Sequence, residues 1–391
     1  MRVGVDATSW TSRRGFGRFA RNAVGRLIEV DSETTYVLVT DDAGADADEL
    51  PAGAGVCRVA LARRSAEAAA AGSSRGVPDL LRLTRAVRRE RFDAFLFPSL
   101  YTWFPVVGAP TIVGVHDTMI EDLPELTVAS RRERVAVNLK HRLGIRRART
   151  LFTVSETARS AIGVRYGIPA AALRVVPEAP DAVFAPRSGP VLAAGLAAAG
   201  LGPGDRFFLC FGGISPHKNV ESLVDAYAQL RGSGAAGVQR LVLVGELEEG
   251  AYLSAAAAVR ARIAHHALDE SVILPGFVSD ETLACLCSAA TAVVLPSLAE
   301  GFGLPAVEAA ACGAPLALSD LPAHRETLGD AALYFPPLDV GAQAAVLERL
   351  AGDDRLRADL AERGRAAVAA RTWDAAAREL AALVAETVRG A

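Results

Sequence analysis

Short apolar runs alternate with longer mixed segments along the whole chain. In the first half the runs are Arg2–Asp6, Tyr36–Thr40, Ala94–Pro98, Thr111–Val115 and Leu151–Val154. In the second half they are Phe207–Phe211, Leu241–Gly245, Val272–Leu274, Ala292–Pro296 and Leu316–Leu318. They are nearly continuous in apolar character, which marks strands buried on both faces. Helix-length segments separate them, so each half predicts a parallel, doubly wound α/β sheet. The stretch Ala185–Asp205, rich in Ala, Gly and Pro, reads as the linker, with a short helix over Val191–Leu201. Residues 1–188 and 189–372 then form two Rossmann-like domains facing each other across a cleft. In such sheets ligands bind beyond the carboxyl ends of the strands, so the residues just after each strand carry the information.

Composition narrows the classes. The chain has 391 residues, 51% hydrophobic and 22% charged, a globular balance suited to two domains. A net charge of −3 gives no electrostatic case for nucleic acid. The opening MRVGVDATSW reads as a strand and lacks the apolar core of a signal peptide. No apolar run reaches the roughly 18 residues of a membrane span, and a cytoplasmic protein is expected. Cys57, Cys210, Cys285, Cys287 and Cys312 match neither zinc spacing nor a disulfide framework, so they read as buried free thiols. The alanine-rich tracts Ala66–Ala71 and Ala255–Ala258 read as helix bias. Of 42 basic residues only Lys140 and Lys218 are lysine, which makes each lysine informative. Eight basic residues lie between Arg131 and Arg149, with Val135, Leu139 and Leu143 at four-residue spacing. That pattern is an amphipathic helix, either a solvated face or a contact for an anionic membrane or acceptor.

Five segments carry candidate chemistry. In Phe207–Leu230 a strand ends at Gly212-Gly213 and a helix begins near Asn219, with Lys218 at its N-terminus. A cation there opposes the helix dipole unless an anion binds the same end, so Lys218 reads as a phosphate clamp, with a solvated surface lysine as the alternative. In LPSLAEGFGLPAVEAAACGAP, Leu295–Pro315, Glu300 and Glu308 flank the turn Gly301-Phe302-Gly303. Glu308 falls among small residues, where a buried carboxylate needs partners; two vicinal hydroxyls, as on ribose, would satisfy it. Glu300 can reach a second polyol. A structural salt bridge for each is the alternative. His116-Asp117 follows an apolar strand, as a cleft residue or a structural histidine. Gly15-Phe16-Gly17 precedes a helix and lets the backbone approach a ligand. Tyr101, Trp103 and Phe104 follow another strand and either stack on a sugar-like acceptor or fill the core.

Together these segments resemble the retaining glycosyltransferases of the GT-B fold, family 4. The most specific part is SLAEGFGLPAVEAAACGAPLALSDLPAHRETLGDAALYF, Ser297–Phe335, with GGISPHKNVESLV, VHD at 115–117, GFGRF and TVSETARSAI in support. TWDAAARELAALV resembles the terminal helix of that family, which implies that residues 373–391 cross back to the N-terminal domain. The resemblance implies a nucleoside-diphosphate sugar as co-substrate and no other cofactor or metal. The acceptor would be a hydroxyl on a small molecule or glycan. Lys218 would bind the diphosphate and Glu308 the ribose. Glu300 and the backbone of Gly301, Phe302, Gly303 and Leu304 would contact sugar and phosphates, near Gly213. Lys218, Glu300 and His116 would be the catalytic group. Gly15, Phe16, Gly17, Tyr101, Trp103, His116 and Asp117 would line the acceptor side. Many family members carry an arginine five or six residues before the lysine; here Gly212 and Gly213 stand there, and His217 precedes Lys218. A phosphorylase or epimerase on the same scaffold, or a non-catalytic nucleotide-sugar-binding protein, remains the alternative.

Overall fold

A computed structural model describes residues 1–12, 14–41, 50–62, 75–128, 130–234, 240–246 and 253–390. The tract 66–71 lies outside them. The chain divides into two compact units, Met1–Glu178 with Thr372–Ala391, and Ala179–Arg371.

The first unit holds β1 (Arg2–Asp6), β2 (Thr35–Asp41), β3 (Gly55–Val59), β4 (Ala94–Phe97), β5 (Thr111–Gly114), β6 (Thr150–Thr153) and β7 (Leu173–Val175). They form a parallel sheet in the order β3-β2-β1-β4-β5-β6-β7. The second unit holds β8 (Phe207–Cys210), β9 (Arg240–Val244), β10 (Val272–Gly276), β11 (Ala292–Leu295), β12 (Leu316–Ser319) and β13 (Leu333–Phe335). Their order is β10-β9-β8-β11-β12-β13, again parallel. Central strands such as β4, β8 and β11 are buried at every position. Side chains on both sheet faces are therefore withdrawn from water, as the uninterrupted apolar runs require.

Helices cover the sheets, and several begin at side-chain caps. Ser130 and Glu133 form a reciprocal capping box at the start of Arg131–Arg147. Thr372 caps the last helix, Trp373–Arg389, which belongs to the first unit. Leu380, Leu383 and Val384 of that helix are fully buried. Its Trp373 ring meets Phe19 edge-on at 6.1 Å, and Thr387 bonds Thr150 at 2.7 Å.

The expected linker is not a free connector. The Arg187 N–H donates to Ser288 Oγ at 3.0 Å, and the helix Gly189–Ala198 packs on Asp280–Ala289. A Cβ on Gly195 would lie 2.5 Å from Cys285 Cβ, so glycine is what allows that close approach. Residues 179–188 accordingly belong to the second unit, earlier than the expected boundary at 188.

Candidate active site

In the second unit the chain starts at β8, runs outward through β9 and β10, and returns to β11 on the other side of β8. β8 and β11 are direct neighbours, with Ala292 opposite Phe208 and Val293 opposite Leu209. Their onward connections part in opposite directions and open a crevice at the carboxyl ends. The loop after β8 carries Gly212, Gly213 and the turn Pro216–Lys218. The loop after β11 carries Ser297, Glu300 and Gly301–Gly303, then opens the helix Leu304–Ala311.

Three ties hold these loops together. Leu298 N–H donates to the His217 carbonyl at 2.8 Å. Asn219 Nδ2 donates to the carbonyls of Pro296 at 3.2 Å and Pro337 at 2.8 Å. Lys218 Nζ donates to Glu300 Oε1 at 2.6 Å, with the two side chains only 15% and 9% exposed. Ser297 Oγ donates to the same carboxylate oxygen at 2.7 Å. Asn219 sits in the left-handed region at φ 54°, which Asn tolerates better than most residues, and it starts the helix Val220–Gly232. Burial raises the Glu300 carboxyl, but the Lys218 charge, His324, and the bonds from Lys218 and Ser297 outweigh it and bring it down to about 2. Glu300 is thus an anion at any working pH.

Backbone geometry explains the glycines. Gly212, Gly213 and Gly303 have φ of 105°, 100° and 88°, which L side chains rarely adopt. A Cβ on Gly212 would also press Pro305 Cγ at 3.1 Å. The arginine that many family members carry in this loop would need a different backbone path here. Phe302 is buried, with the Arg371 guanidinium 5.4 Å from its ring centroid, so its side chain supports the turn from behind. Glu308 is buried on Leu304–Ala311 and engaged within the protein. Burial, Cys312 and the Glu308 charge raise the Cys287 thiol well above its ordinary value.

Asn219, Ser297 and His324 were not anticipated. His324 lies on the helix Pro322–Leu328 after β12, fully buried, beside Gly303.

In the first unit the equivalent reversal falls between β1 and β4. Phe16 and Tyr101 meet there at 5.5 Å between ring centroids. Tyr101 Oη donates to Asp117 Oδ1 at 2.9 Å, and Asp117 Oδ1 also accepts from Met119 N–H at 2.9 Å. His116 Nε2 donates to the Pro98 carbonyl at 2.8 Å, its Nδ1 lies 3.7 Å from Glu178 Oε1, and Phe19 covers the ring at 4.8 Å. Burial lowers the His116 imidazole to about 4 against the opposing pull of that carbonyl. Lys140, unassigned from sequence despite its rarity, donates to the Tyr101 carbonyl at 2.5 Å. Burial and the Arg75 charge lower it to about 7, against Asp6.

Two expectations need correction, and a third feature is resolved. Trp103 does not join Tyr101, His116 and Asp117: it is buried against Gly144 and lines a cavity of about 260 Å³ with Thr111 and Arg147, and Thr111 is the opposite end of β5 from His116. Gly15–Gly17 is not a loop before a helix but its first turn. A Cβ on Gly17 would fall 2.2 Å from the Ser12 carbonyl oxygen, so the chain itself requires that glycine. The helix Arg131–Arg147 buries His141, Gly144 and Ile145 instead of its apolar stripe. Val135, Leu139 and Leu143 are 69%, 57% and 41% exposed.

Among the described residues no group of three or more His, Cys, Asp or Glu is placed to hold a metal ion. An Asp-x-Asp triplet, Asp46-Ala47-Asp48, lies outside the described residues. No helix among the described residues is long and apolar enough to cross a membrane.

Residues 197–367 match the family model described as glycosyl transferases group 1, and residues 14–179 match a glycosyl transferase 4-like domain. The chain is 32% identical over 269 residues to O-antigen chain mannosyltransferase B of Escherichia coli, covering 67% of each protein. The chain belongs to the group 1 glycosyl transferase family. It is also 31% identical over 291 residues to an MMP alpha-(1->4)-mannosyltransferase of Mycolicibacterium hassiacum, covering 71% of this chain and 65% of that protein. The alignments thus span about two thirds of the length of these relatives. Sucrose-phosphate synthase of Thermosynechococcus elongatus shares the fold over the full length of both chains, with a TM-score of 0.77 at 20% identity. Anabaena HepE, solved with UDP and glucose, shares it over 98% of this glycosyl transferase and 99% of that chain, with a TM-score of 0.74 at 18% identity. The fold is the two-domain GT-B architecture.

Proposed function

We propose that this glycosyl transferase moves a sugar from a nucleoside-diphosphate donor to an acceptor hydroxyl with retention, without a metal. The observation that carries the reading is the Lys218–Glu300 pair, 2.6 Å apart on the two loops that flank the β8/β11 reversal. It presents one fixed cation for a diphosphate and one fixed anion for hydroxyls at the start of Leu304–Ala311, whose dipole favours negative charge at that end. The second unit binds the donor, with Glu308 on the ribose, and the first unit binds the acceptor around Tyr101, His116 and Asp117.

As the C1–O bond breaks, charge grows on the leaving phosphate, and Lys218 with that helix end stabilises it without reorganisation. Glu300 stays ionised and His116 stays neutral with its Nε2 proton committed to Pro98. With values near 2 and 4 neither is a competent base at neutral pH, which supports transfer of the acceptor proton to the leaving phosphate oxygen. The names of the two relatives favour a mannosyl donor.

The exposed stripe on Arg131–Arg147 supports peripheral membrane contact. Arg131, Arg132, Arg142 and Arg146 are exposed on the same helix as the three apolar residues. Apolar insertion and attraction to anionic headgroups then act together.

The test is release of nucleoside diphosphate from GDP-mannose and UDP-glucose in the presence of candidate acceptors. Lys218→Ala should lower kcat/KM by about 2–4 kcal/mol in transition-state terms. A loss under about tenfold removes Lys218 as the main clamp. Phosphate-dependent sugar release, or an epimerised donor without acceptor, replaces transfer with the corresponding activity.

A further inference from the structure

Ser319 ends β12, and its hydroxyl donates to the Leu295 carbonyl at the end of β11 at 3.3 Å. Its own carbonyl lies 2.9 Å from His324 Nδ1. A carbonyl only accepts, so Nδ1 carries the ring proton and Nε2 of the neutral ring presents a lone pair. Among the described residues nothing hydrogen-bonds Nε2, although His324 is 0% exposed. A buried acceptor in that position is destabilising unless a donor reaches it.

The free edge of the ring points at the glycine turn. A Cβ on Gly303 would meet His324 Cδ2 at 2.9 Å and Nε2 at 3.4 Å. Burial lowers the imidazole, Glu300 opposes that through its charge, the Ser319 carbonyl opposes it too, and Lys218 reinforces it. The ring therefore belongs to the same electrostatic group as the Lys218–Glu300 pair and stays neutral at physiological pH.

The polar groups here sort into two kinds. Lys218 and the amides opening Leu304–Ala311 are donors and suit phosphate oxygens. The Glu300 carboxylate and His324 Nε2 are acceptors. A phosphate oxygen at Nε2 would set lone pair against lone pair, whereas a hydroxyl supplies the missing donor. We propose that His324 Nε2 accepts a hydrogen bond from a hydroxyl of the transferred sugar, so that Glu300 and His324 together orient the donor sugar. This rests on the donor-site reading given above.

Calorimetric titration at neutral pH separates the outcomes. The full-length protein and its His324→Phe variant are each titrated with GDP and UDP, then with GDP-mannose and UDP-glucose. The variant should bind the free nucleoside diphosphate within about twofold of the parent but lose about tenfold for the sugar nucleotide. An equal loss for both ligands assigns His324 a packing role and overturns the proposal, as does no loss for either. Parental protein that binds none of the four probes refutes the donor site itself, which is a different failure. If His324→Phe does not fold, His324→Leu, which also lacks an acceptor, goes through the same titrations. A sugar-specific loss supports the proposal, and parental affinity for the sugar nucleotide overturns it.

Discussion

Neutralising Glu300 should destabilise the second unit by an amount that depends on pH in a defined direction. Glu300 is 9% exposed, and its carboxyl is held near 2 against an ordinary value of 4.5. That depression corresponds to about 3 kcal/mol of folded-state stabilisation. Because the folded value lies below the unfolded one, the stabilisation is complete above the unfolded pKa. It fades as the pH falls from there through the folded value of about 2. Glu300→Gln preserves shape but leaves Lys218 without its counter-charge. The variant should therefore be about 3 kcal/mol less stable at neutral pH, with the gap narrowing under acid. Tryptophan fluorescence cannot follow this, because Trp10, Trp103 and Trp373 all lie in the first unit. Pulsed amide exchange across a urea series, read by mass spectrometry on peptides from β8 and β11, follows the right unit. A difference under about 1 kcal/mol at neutral pH, or one that does not shrink on acidification, would refute the assignment of this pair as a strong buried interaction.

Further outcomes test the neighbouring parts. Glu308→Gln should raise the donor KM sharply with little change in fold, and unchanged steady-state kinetics would remove the ribose role. Gly303→Ala, strained at φ 88° and pressed on His324, should weaken sugar-nucleotide binding in calorimetry more than a change at half-buried Gly25, where a Cβ would meet nothing within 4 Å. Asn219→Ala loses bonds to Pro296 and Pro337 and should lower urea-unfolding stability by about 1–3 kcal/mol. Leu139→Asp should reduce flotation with vesicles containing phosphatidylglycerol while leaving turnover of a soluble acceptor unchanged. Equal flotation would leave the helix face without a membrane role.

What the sequence made legible follows from burial. β4, β8 and β11 announce themselves because both faces are covered and every residue is apolar. β3, β7 and β13 escaped notice because they are edge strands: GVCRV is largely exposed, and the other two are three residues long. Lys218 and Glu300 were readable because each follows a recognisable central strand. His324 also follows such a strand, but nothing in SDLPAHRE reveals that its ring turns back under the Gly303 turn. Trp103 and the stripe Val135, Leu139 and Leu143 show the converse limit. Periodicity identifies a helix or an aromatic cluster, but not which side the rest of the protein covers.

The last helix gives the first unit a delayed completion. Residues 372–390 pack into a unit whose other residues end at Glu178, and the whole of Ala179–Arg371 is synthesised in between. At ordinary translation speeds that interval is on the order of 10–40 s. By its end the second unit has all its strands, while the surface around Phe19 and Thr150 still lacks Trp373, Thr387 and the apolar side chains of their helix. The nascent first unit must wait with that surface open, so its folding yield should depend on chaperone supply more than that of the second.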